Sequence, residues 1–258
     1  MLNFQGKVIN RFVLCFLLCS FCCCASVSAA NIGVCIMATG KYIEFIKPLI
    51  ESSRKHFCKN HQVTYFVFTN GQLEPADDIV TIYQDRLGWP YDTMMRFQIY
   101  LANESLLSTQ DYIFSCDADT LFVGDVGDEF LGQRVAVQHS GFVNASGQYN
   151  GKGTFDRNPN SKAYVKPNEG RYYISGALYG GTKEEFLKIA TTCSHNINED
   201  LSQGIIALWH DESHLNRYFI DNPLTVLLSP LYWCPETWDM PGRKILALDK
   251  NHSEFRKS

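Results

Sequence analysis

The sequence predicts an α/β fold with a central parallel sheet and helices that flank it. Short apolar runs typical of buried strands alternate along the chain with stretches whose apolar residues recur at helical spacing. This alternation indicates parallel strands joined by right-handed helical crossovers. Ligands bind such sheets at the carboxyl ends of the strands, so the residues that follow each strand are the first candidates for a functional site.

The first half of the chain supplies the clearest elements. Strands are predicted over residues 32–40, 62–70 and 79–84, and from Tyr112 onward. Helices are predicted over residues 41–57 and 91–107. Pro48 is expected to kink or interrupt the first helix, because proline cannot donate a backbone hydrogen bond.

The second half is less regular. Residues 147–164 are polar and glycine-rich, which predicts a long surface loop. The remaining strands are predicted over residues 171–181, 224–230 and 244–249, and the remaining helices over 182–193 and 211–219. No stretch has the composition of a linker, so we expect one domain from residue 31 to residue 258.

Composition narrows the class of protein. A chain of 258 residues that is 45% hydrophobic suits one globular domain, and a net charge of −4 gives no electrostatic footprint for nucleic acid. Five cysteines lie beyond the N-terminal segment at irregular spacing, with no CxxC pair. We expect them to be mostly free, buried thiols, with at most one or two disulfide bridges.

The N-terminal residues 1–30 are set apart by their apolarity. Lys7 and Arg11 precede residues 12–30, which carry no charge and end in small residues. One interpretation is a cleaved signal peptide. The other is a single membrane anchor, since the stretch is long enough to span a bilayer. On either interpretation this segment lies outside the folded domain.

An acidic pair follows the strand that begins at Tyr112. Asp117 and Asp119 flank one small residue at the end of an apolar run. A divalent cation site is one explanation, because Mg²⁺ and Mn²⁺ prefer carboxylate oxygens and bridge them to substrate phosphates. A phosphatase of the haloacid dehalogenase type needs Thr or Val two places after the second aspartate, where this chain has Leu121. The third explanation is a pair of solvated aspartates in a turn.

The segment WHDESHLN, residues 209–216, is a denser signal. His210 and His214 are four residues apart, which places them on one face of a helix. A zinc protease needs Glu directly after the first His, where this chain has Asp211. An ordinary helix start would also place acidic residues here, where the helix dipole favours them. A sugar site is the third explanation, because an indole stacks on a pyranose and carboxylates bind its hydroxyls.

Together these segments resemble the retaining glycosyltransferases that include the ABO blood-group transferases and α-1,3-galactosyltransferase. The resemblance runs from about Ile32 to the C-terminus. It rests on ordered segments, of which WHDESHLN is highly specific: MATGKYIE, TMMRFQ, CDADTLF, QHSGF, NEGRYYISGALYGG, ALWHDESHLNRYF, LSP and KNHSEFR.

The resemblance implies a GT-A type nucleotide-sugar-binding fold, with a Rossmann-like central sheet and flanking helices. It implies an enzyme that moves galactose or N-acetylgalactosamine from a UDP-sugar to a β-galactoside, plain or fucosylated, in α-1,3 linkage. Mn²⁺ is the implied cofactor, with Mg²⁺ as the alternative. Two other functions stay open: a non-catalytic homologue that binds UDP-sugar or glycan, and a GT-A transferase with another UDP-sugar donor.

The family's functional positions carry over to residues of this sequence. Asp117 and Asp119 match the metal motif, and Glu212 matches the proposed catalytic carboxylate. His139, Trp209 and Glu212 match acceptor contacts. The positions that match donor contacts, in addition to the two metal ligands, are Ala38, Thr39, Tyr42, Arg96, Ser175, Gly176, Ala177, Asp211, Lys250 and Arg256.

The chain departs from the family pattern at two positions. Met37 replaces the Phe of the animal enzymes at the uracil pocket, and Leu231 replaces an acceptor-binding Glu after LSP. The second departure leaves the identity of the acceptor open. Many bacterial relatives carry Asn-x-Asn at the metal motif and work without metal, whereas this chain keeps both aspartates, which favours metal dependence.

The resemblance also bears on the tail and on location. Lys250 and Arg256 match tail cations, so we expect the C-terminal tail to become ordered over bound UDP and to exclude water. A fully secreted transferase would lack its UDP-sugar donor. The anchor interpretation of residues 1–30 is therefore favoured over the signal peptide, with the catalytic domain in the Golgi lumen if the host is eukaryotic.

Overall fold

A computed structural model gives the structure of the chain and describes residue 1 and residues 29–144 and 146–257. The predicted strand and helix alternation is present. The strands are β1 (Asn31–Met37), β2 (Gln62–Thr69), β3 (Ile79–Tyr83), β4 (Tyr112–Asp117), β5 (Thr120–Phe122), β6 (Arg134–Gln138), β7 (Ile174–Thr182), β8 (Val226–Leu228), β9 (Cys234–Pro235) and β10 (Ile245–Ala247).

The helices differ from prediction mainly in the first half. They are α1 (Ile46–His56), α2 (Tyr91–Met94), α3 (Arg96–Ala102), α4 (Glu104–Leu107), α5 (Lys183–Ser202), α6 (His210–Asp221) and α7 (His252–Lys257). The single helix predicted over 91–107 is thus three short ones. Pro48 neither kinks nor interrupts α1, because it lies in the first turn, where backbone N–H groups have no intrahelical partner.

Within the described residues the central sheet has seven strands in the order β3-β2-β1-β4-β7-β6-β8. The four strands from β3 to β4 are parallel, as predicted. The prediction is wrong for β7, which runs antiparallel to both β4 and β6. The chain reaches β7 through residues 143–173, and the part of this connection that the structure describes contains no crossover helix that would impose a parallel direction.

Two glycines let β7 lie close to its neighbours. A Cβ atom on Gly180 would lie 2.1 Å from the carbonyl oxygen of Ile113, and one on Gly181 would lie 2.0 Å from that of Gln133. No side chain could occupy either position. Strand β6, which the sequence analysis did not predict, is the strand on the other side of β7.

Both faces of the sheet are buried. In β1, Val34 and Ile36 pack into the core on the side of α1, whereas Cys35 packs into the core formed with α3, α5 and α6. Such burial explains why the strand is almost continuously apolar. The five cysteines among the described residues are free and buried, which confirms the expectation of unpaired thiols.

The prediction of a surface loop over 147–164 is wrong in part. No helix or strand occurs there, but Phe155 is buried and packs in a small third core with Val165, just after the segment, and Tyr173. Asp200 of α5 accepts a hydrogen bond of 2.6 Å from the Ser161 hydroxyl. The polar, glycine-rich composition of the segment did not predict these buried contacts, because only a few of its side chains are buried.

The second, smaller sheet joins β5, β10 and β9 beside the end of β4. It brings the C-terminal residues back to the edge where Asp117 and Asp119 lie, since the backbone N–H of Leu248 donates to the carbonyl oxygen of Asp119 at 2.8 Å. The seven-stranded sheet and this return of the chain set the position of the cleft described below.

The N-terminal prediction falls mostly outside the described part of the chain. Residues 2–28 are not described, so neither the signal peptide nor the anchor can be placed on the structure. Among the described residues, none of the helices combines the length and apolarity needed to span a bilayer.

Candidate active site

A cleft of about 560 Å³ lies at the carboxyl ends of β1 and β4. Its walls come from the central sheet, the start of α6, the loop before α2 and the C-terminal tail, residues 249–257. All the predicted site residues except Ala38 line this cleft, namely Thr39, Tyr42, Arg96, Asp117, Asp119, His139, Ser175, Gly176, Ala177, Trp209, Asp211, Glu212, Lys250 and Arg256.

Ala38 lies behind the cleft wall rather than on it. Its side chain is fully buried, its N–H donates to Phe68 at 2.8 Å, and its carbonyl accepts from the Thr69 hydroxyl at 2.7 Å. Both backbone groups are therefore occupied by contacts with β2. In its place, the neighbouring Met37 lines the cleft.

Each carboxylate of the acidic pair meets a cation. Arg96 donates a hydrogen bond of 3.1 Å to Asp117, and the Lys250 ammonium forms a short ion pair with Asp119. The Asp119 side chain is only 8% exposed, so the explanation of solvated aspartates in a turn fails for it. Burial disfavours the charged ammonium, but Asp119 outweighs burial and raises the pKa of Lys250.

Arg96 is buried at the centre of the site and joins three elements. Besides Asp117 of β4, its Nε lies 3.0 Å from the Asp211 carboxylate of α6, and its Nη1 lies 3.3 Å from the carbonyl oxygen of Gly176 in β7. Burial lowers the pKa of this guanidinium, but the Asp211 and Asp117 charges outweigh burial and raise it well above its usual range. Arg96 is therefore a permanent positive charge among carboxylates.

The two carboxylates bound to Arg96 have raised proton affinity. Burial raises the pKa of Asp117 to about 6 and that of Asp211 to about 6, although Arg96 opposes both shifts. Neighbouring negative charges add to the rise, from Asp119 for the first and from Glu212 for the second. Negative charge is therefore concentrated around Arg96.

Glu212 is held by hydrogen bonds to both of its oxygens. The Tyr173 phenol donates to Oε1 at 2.7 Å, and the Gly176 backbone N–H donates to Oε2 at 2.8 Å. Burial raises the pKa of Glu212, while these two hydrogen bonds act in the opposite direction. The carboxylate is consequently fixed in one orientation toward the cleft.

Two features of the sequence allow this placement. A Cβ atom on Gly176 would lie 3.1 Å from the Cβ of Glu212, so a larger residue would push the helix away. Asn216, one turn later in α6, accepts from the Ile174 N–H at 3.0 Å and donates to its carbonyl at 3.1 Å. The amide thereby completes the hydrogen bonding of β7 and locks α6 to the strand.

The tail folds over the cleft. Phe255 packs against Tyr42 and Phe45, with ring centroids 5.2 Å apart in both pairs. The Arg256 guanidinium lies 3.8 Å from the ring centroid of Trp89. A helix of six residues is marginal on its own, so these contacts supply the order of α7.

Trp209 and His139, which match acceptor contacts of the family, also line the cleft. Trp209 is 47% exposed, which leaves its indole face available for stacking. His139 accepts a hydrogen bond from the Gly141 N–H at Nδ1, and burial lowers its pKa. The imidazole is therefore neutral with its proton on Nε2, which makes Nε2 a hydrogen-bond donor.

The histidines of WHDESHLN do not form a pair. His214 is buried beside Asp200, at 3.6 Å, whereas His210 lies at the cleft and packs edge-on against Trp89. Nowhere in residues 29–144 and 146–257 do three His, Cys, Asp or Glu side chains gather as a metal site. The zinc protease alternative therefore has no support in the structure.

The sequence analysis missed residues that act on the predicted ones. Tyr173 lies within a segment quoted for the resemblance, and only its three-dimensional neighbour Glu212 reveals its role. The others are Asn216, Trp89, Arg86, Asp92 and Glu236. Glu236 accepts a hydrogen bond of 2.6 Å from the Asp249 N–H, next to Lys250. Polar and aromatic residues at the ends of predicted elements were the available signal, but that signal is weak.

Comparisons with known proteins agree with the family resemblance found in the sequence. The sequence profile of glycosyltransferase family 6 matches residues 25–257. The chain is similar to histo-blood group ABO system transferase 2 of Rattus norvegicus, with 31% identity over 244 residues that cover 88% of this chain and 71% of the relative. It is similar to globoside alpha-1,3-N-acetylgalactosaminyltransferase 1 of Gallus gallus, with 32% identity over 88% of this chain and 69% of the relative. The chain is also similar to O-antigen biosynthesis glycosyltransferase WbnI of Escherichia coli, with 27% identity over a match that covers 87% of this chain and 97% of the relative.

Proposed function

Because the chain belongs to glycosyltransferase family 6, we propose that it is a retaining α-1,3-hexosyltransferase that uses a UDP-sugar donor. It moves galactose or N-acetylgalactosamine to a β-galactoside acceptor, plain or fucosylated. The relatives are named for both sugars: one group as alpha-1,3-N-acetylgalactosaminyltransferases and another as an alpha-1,3-galactosyltransferase. The domain that carries this activity comprises residues 31–258.

The placement of Glu212 is the observation that best supports this function. Its carboxylate is fixed by Tyr173 and Gly176 on the same cleft wall as Arg96, Asp211 and the acidic pair. An anion held beside a nucleotide-sugar cleft can stabilise the positive charge that grows on the sugar when the leaving group departs. That role is common to a covalent glycosyl intermediate and to attack of the acceptor from the leaving-group side.

The tail cations act on the other half of the reaction. Loss of UDP from the anomeric carbon places negative charge on the diphosphate. Lys250 and Arg256 line the cleft on the tail and neutralise that charge through charge-assisted hydrogen bonds. The tail also covers the cleft and keeps out water, which would otherwise hydrolyse the donor.

The acidic pair fits a divalent cation. Asp117 and Asp119 offer hard oxygen ligands, and ions such as Mn²⁺ or Mg²⁺ are typically held by one or two carboxylates together with substrate phosphates. When bound, such an ion supplies Lewis-acid neutralisation of the diphosphate. Asp117 and Asp119 would hold the ion, and the Lys250 ammonium, which now pairs with Asp119 and lines the cleft, would be free to bind the phosphates.

The main alternative is a homologue that binds UDP-sugar or glycan without turnover. The orientation of Glu212 by two hydrogen bonds supports the enzyme instead, because sugar binding alone does not require a half-buried carboxylate that is held in one orientation and has a raised pKa. The segment WHDESHLN, residues 209–216, argues against a transferase with another UDP-sugar donor, because it is highly specific to the family that the chain resembles. The relatives' names favour galactose and N-acetylgalactosamine.

A glycan-array transfer assay tests this function. Purified enzyme is incubated with UDP-galactose or UDP-N-acetylgalactosamine, each with and without Mn²⁺, and with UDP-glucose as the control donor. The expected result is transfer to β-galactosides from one of the first two donors, with stimulation by Mn²⁺. Binding of UDP without transfer to any glycan would favour the non-catalytic alternative.

The proposal for the N-terminal segment is a single membrane anchor. Its support is the uncharged stretch 12–30, preceded by Lys7 and Arg11. Alkaline carbonate extraction of membranes from the expressing cells tests it. Retention of the enzyme in the membrane pellet with its N-terminus intact is expected. A soluble enzyme that begins near residue 30 would identify a cleaved signal peptide instead.

A further inference from the structure

We propose that Arg86 is a positioning residue that holds the C-terminal tail against the cleft, oriented by Asp92. The inference rests on the proposed function, in which the tail cations neutralise the donor diphosphate. Arg86 lies in the loop between β3 and α2. That loop was not assigned any role by the sequence or by the family resemblance.

The contact joins parts of the chain that are far apart in sequence. The Arg86 Nη2 donates a hydrogen bond of 3.1 Å to the backbone carbonyl of Phe255, 169 residues away. On the other side, its Nε lies 3.7 Å from an Asp92 carboxylate oxygen. The two side chains are 19% and 22% exposed, so the pair is mostly shielded from solvent.

The position of the accepting carbonyl gives the contact its importance. Phe255 lies in the last turn of α7, where the final carbonyl groups lack intrahelical partners. A guanidinium at this end satisfies one of those groups and interacts favourably with the helix dipole. The next residue, Arg256, stacks on Trp89 in the same loop that carries Arg86. Arg86 therefore fixes the backbone beside a cation of the proposed reaction.

Asp92 is itself held from several directions. Its Oδ1 accepts from the Leu87 N–H at 2.7 Å and from the Thr39 hydroxyl at 3.4 Å. Thr39 is one of the positions that match donor contacts of the family. One carboxylate thus contacts a residue on the donor side of the cleft, the loop, and the arginine that binds the tail.

Two simpler explanations make different predictions. A purely structural ion pair would change stability without separating the kinetic constants for donor and acceptor. A direct donor ligand, which the position of Arg86 on the cleft wall also allows, would lose affinity even after the tail contact is broken. A positioning residue acts only through the tail. Its effect should therefore largely disappear in a variant whose tail already lacks Arg256.

The test compares Arg86→Ala, Arg86→Lys, Arg256→Ala and the double variant Arg86→Ala/Arg256→Ala in the full chain. Arg54→Ala is the matched control, because Arg54 also pairs with a carboxylate, Asp78, but does not line the cleft. The measurements are amide hydrogen exchange of residues 250–257, UDP affinity, and KM for donor and for acceptor.

Arg86→Ala is expected to speed exchange in the tail and to raise the donor KM about tenfold, the factor for one lost charge-assisted hydrogen bond. Acceptor KM and melting temperature should change little, and Arg86→Lys should recover most of the donor affinity. In the Arg256→Ala background the additional loss should be under about twofold, because contacting residues that act together are not additive.

Unchanged tail exchange in Arg86→Ala would overturn the proposal, as would a full tenfold loss in the Arg256→Ala background. The exchange measurement needs no acceptor and no turnover. If the wild type transfers no sugar at all, the proposed function fails, while the exchange difference between wild type and Arg86→Ala still decides whether Arg86 holds the tail.

Discussion

The phenol of Tyr173 and the carboxylate of Glu212 share a hydrogen bond of 2.7 Å, although the two residues are 39 positions apart in the chain. Tyr173 is fully buried, directly before β7, and packs against Phe142 and Phe155. The small third core therefore orients the carboxylate on which the proposed chemistry depends. It also connects residues 147–164, expected from the sequence to be a surface loop, to the reaction.

Removal of the Tyr173 hydroxyl should shift the pH dependence of transfer. The hydrogen bond stabilises ionised Glu212 and lowers its pKa against the rise caused by burial, so Tyr173→Phe should raise that pKa further. The acid limb of kcat/KM should therefore move to higher pH. Tyr149→Phe, a neighbouring change, is the control and should leave the limb in place. An acid limb that does not shift in Tyr173→Phe, or that shifts to lower pH, would contradict this assignment.

Gly176→Ala should impair catalysis more than stability. The new Cβ would lie 3.1 Å from the Cβ of Glu212, and Asn216 prevents α6 from moving freely away. We expect kcat to fall at least about tenfold through displacement of the carboxylate. The free energy of unfolding, measured in urea, should fall by about 1–3 kcal/mol. A kcat equal to that of the wild type would show that the distance between Glu212 and β7 is not critical.

Asp119→Asn should remove the response to metal. An amide is a weaker ligand for a hard cation than a carboxylate, so Mn²⁺ should no longer stimulate transfer. The same change removes the ion pair with Lys250, which frees the ammonium for phosphate. The measurement is the transfer rate of wild type and variant as Mn²⁺ is added, relative to the rate in the presence of a chelator. An identical metal response in both proteins would place the ion elsewhere.

Several features of the fold could be predicted from local sequence. Buried strands have continuous apolar runs, so β1, β2 and β4 were predicted close to their observed bounds. Asp117 and Asp119 stood out because charge at the end of such a run is costly without a partner. The helix α6 was predicted from its spacing and its acidic first turn.

The remaining features depend on packing between distant segments. The antiparallel direction of β7 follows from the route of residues 143–173, and local propensity carries no information about that route. The hydrogen bonds that orient Glu212, and those by which Asn216 holds α6 to β7, join residues about 40 positions apart. Ala38 matches a family position, but its exposure is decided by β2, which covers it. Arg86 had only a weak signal, since the backbone carbonyl that it binds is 169 residues away in the chain.

The buried His214 should make stability depend on pH. Burial lowers its pKa to about 4, against the opposing charges of Asp200 and Asp156, whereas the unfolded chain has a value of 6.5. Below 6.5 the unfolded state binds a proton that the folded state does not, so stability falls as the pH falls. From pH 7 to pH 5 this residue should cost about 2 kcal/mol.

The control for this effect is His214→Gln, which removes the titrating group. The difference in unfolding free energy between wild type and variant isolates His214 from Asp117 and Asp211, whose raised pKa values have the opposite effect on stability over this range. Urea denaturation at pH 7 and pH 5 supplies the values. A difference that does not change between these pH values would mean that His214 has the same pKa in the folded and unfolded protein.

The most direct test of the account is the stereochemistry of the product and its dependence on Glu212. Nuclear magnetic resonance of the product should show an α linkage, as in the donor. Glu212→Gln should slow transfer by about a hundredfold or more while UDP affinity stays within about twofold. The control Glu199→Gln should behave as wild type, because Glu199 pairs with Lys162 on the surface and does not line the cleft. A β-linked product, or near-normal transfer by Glu212→Gln, would contradict the account.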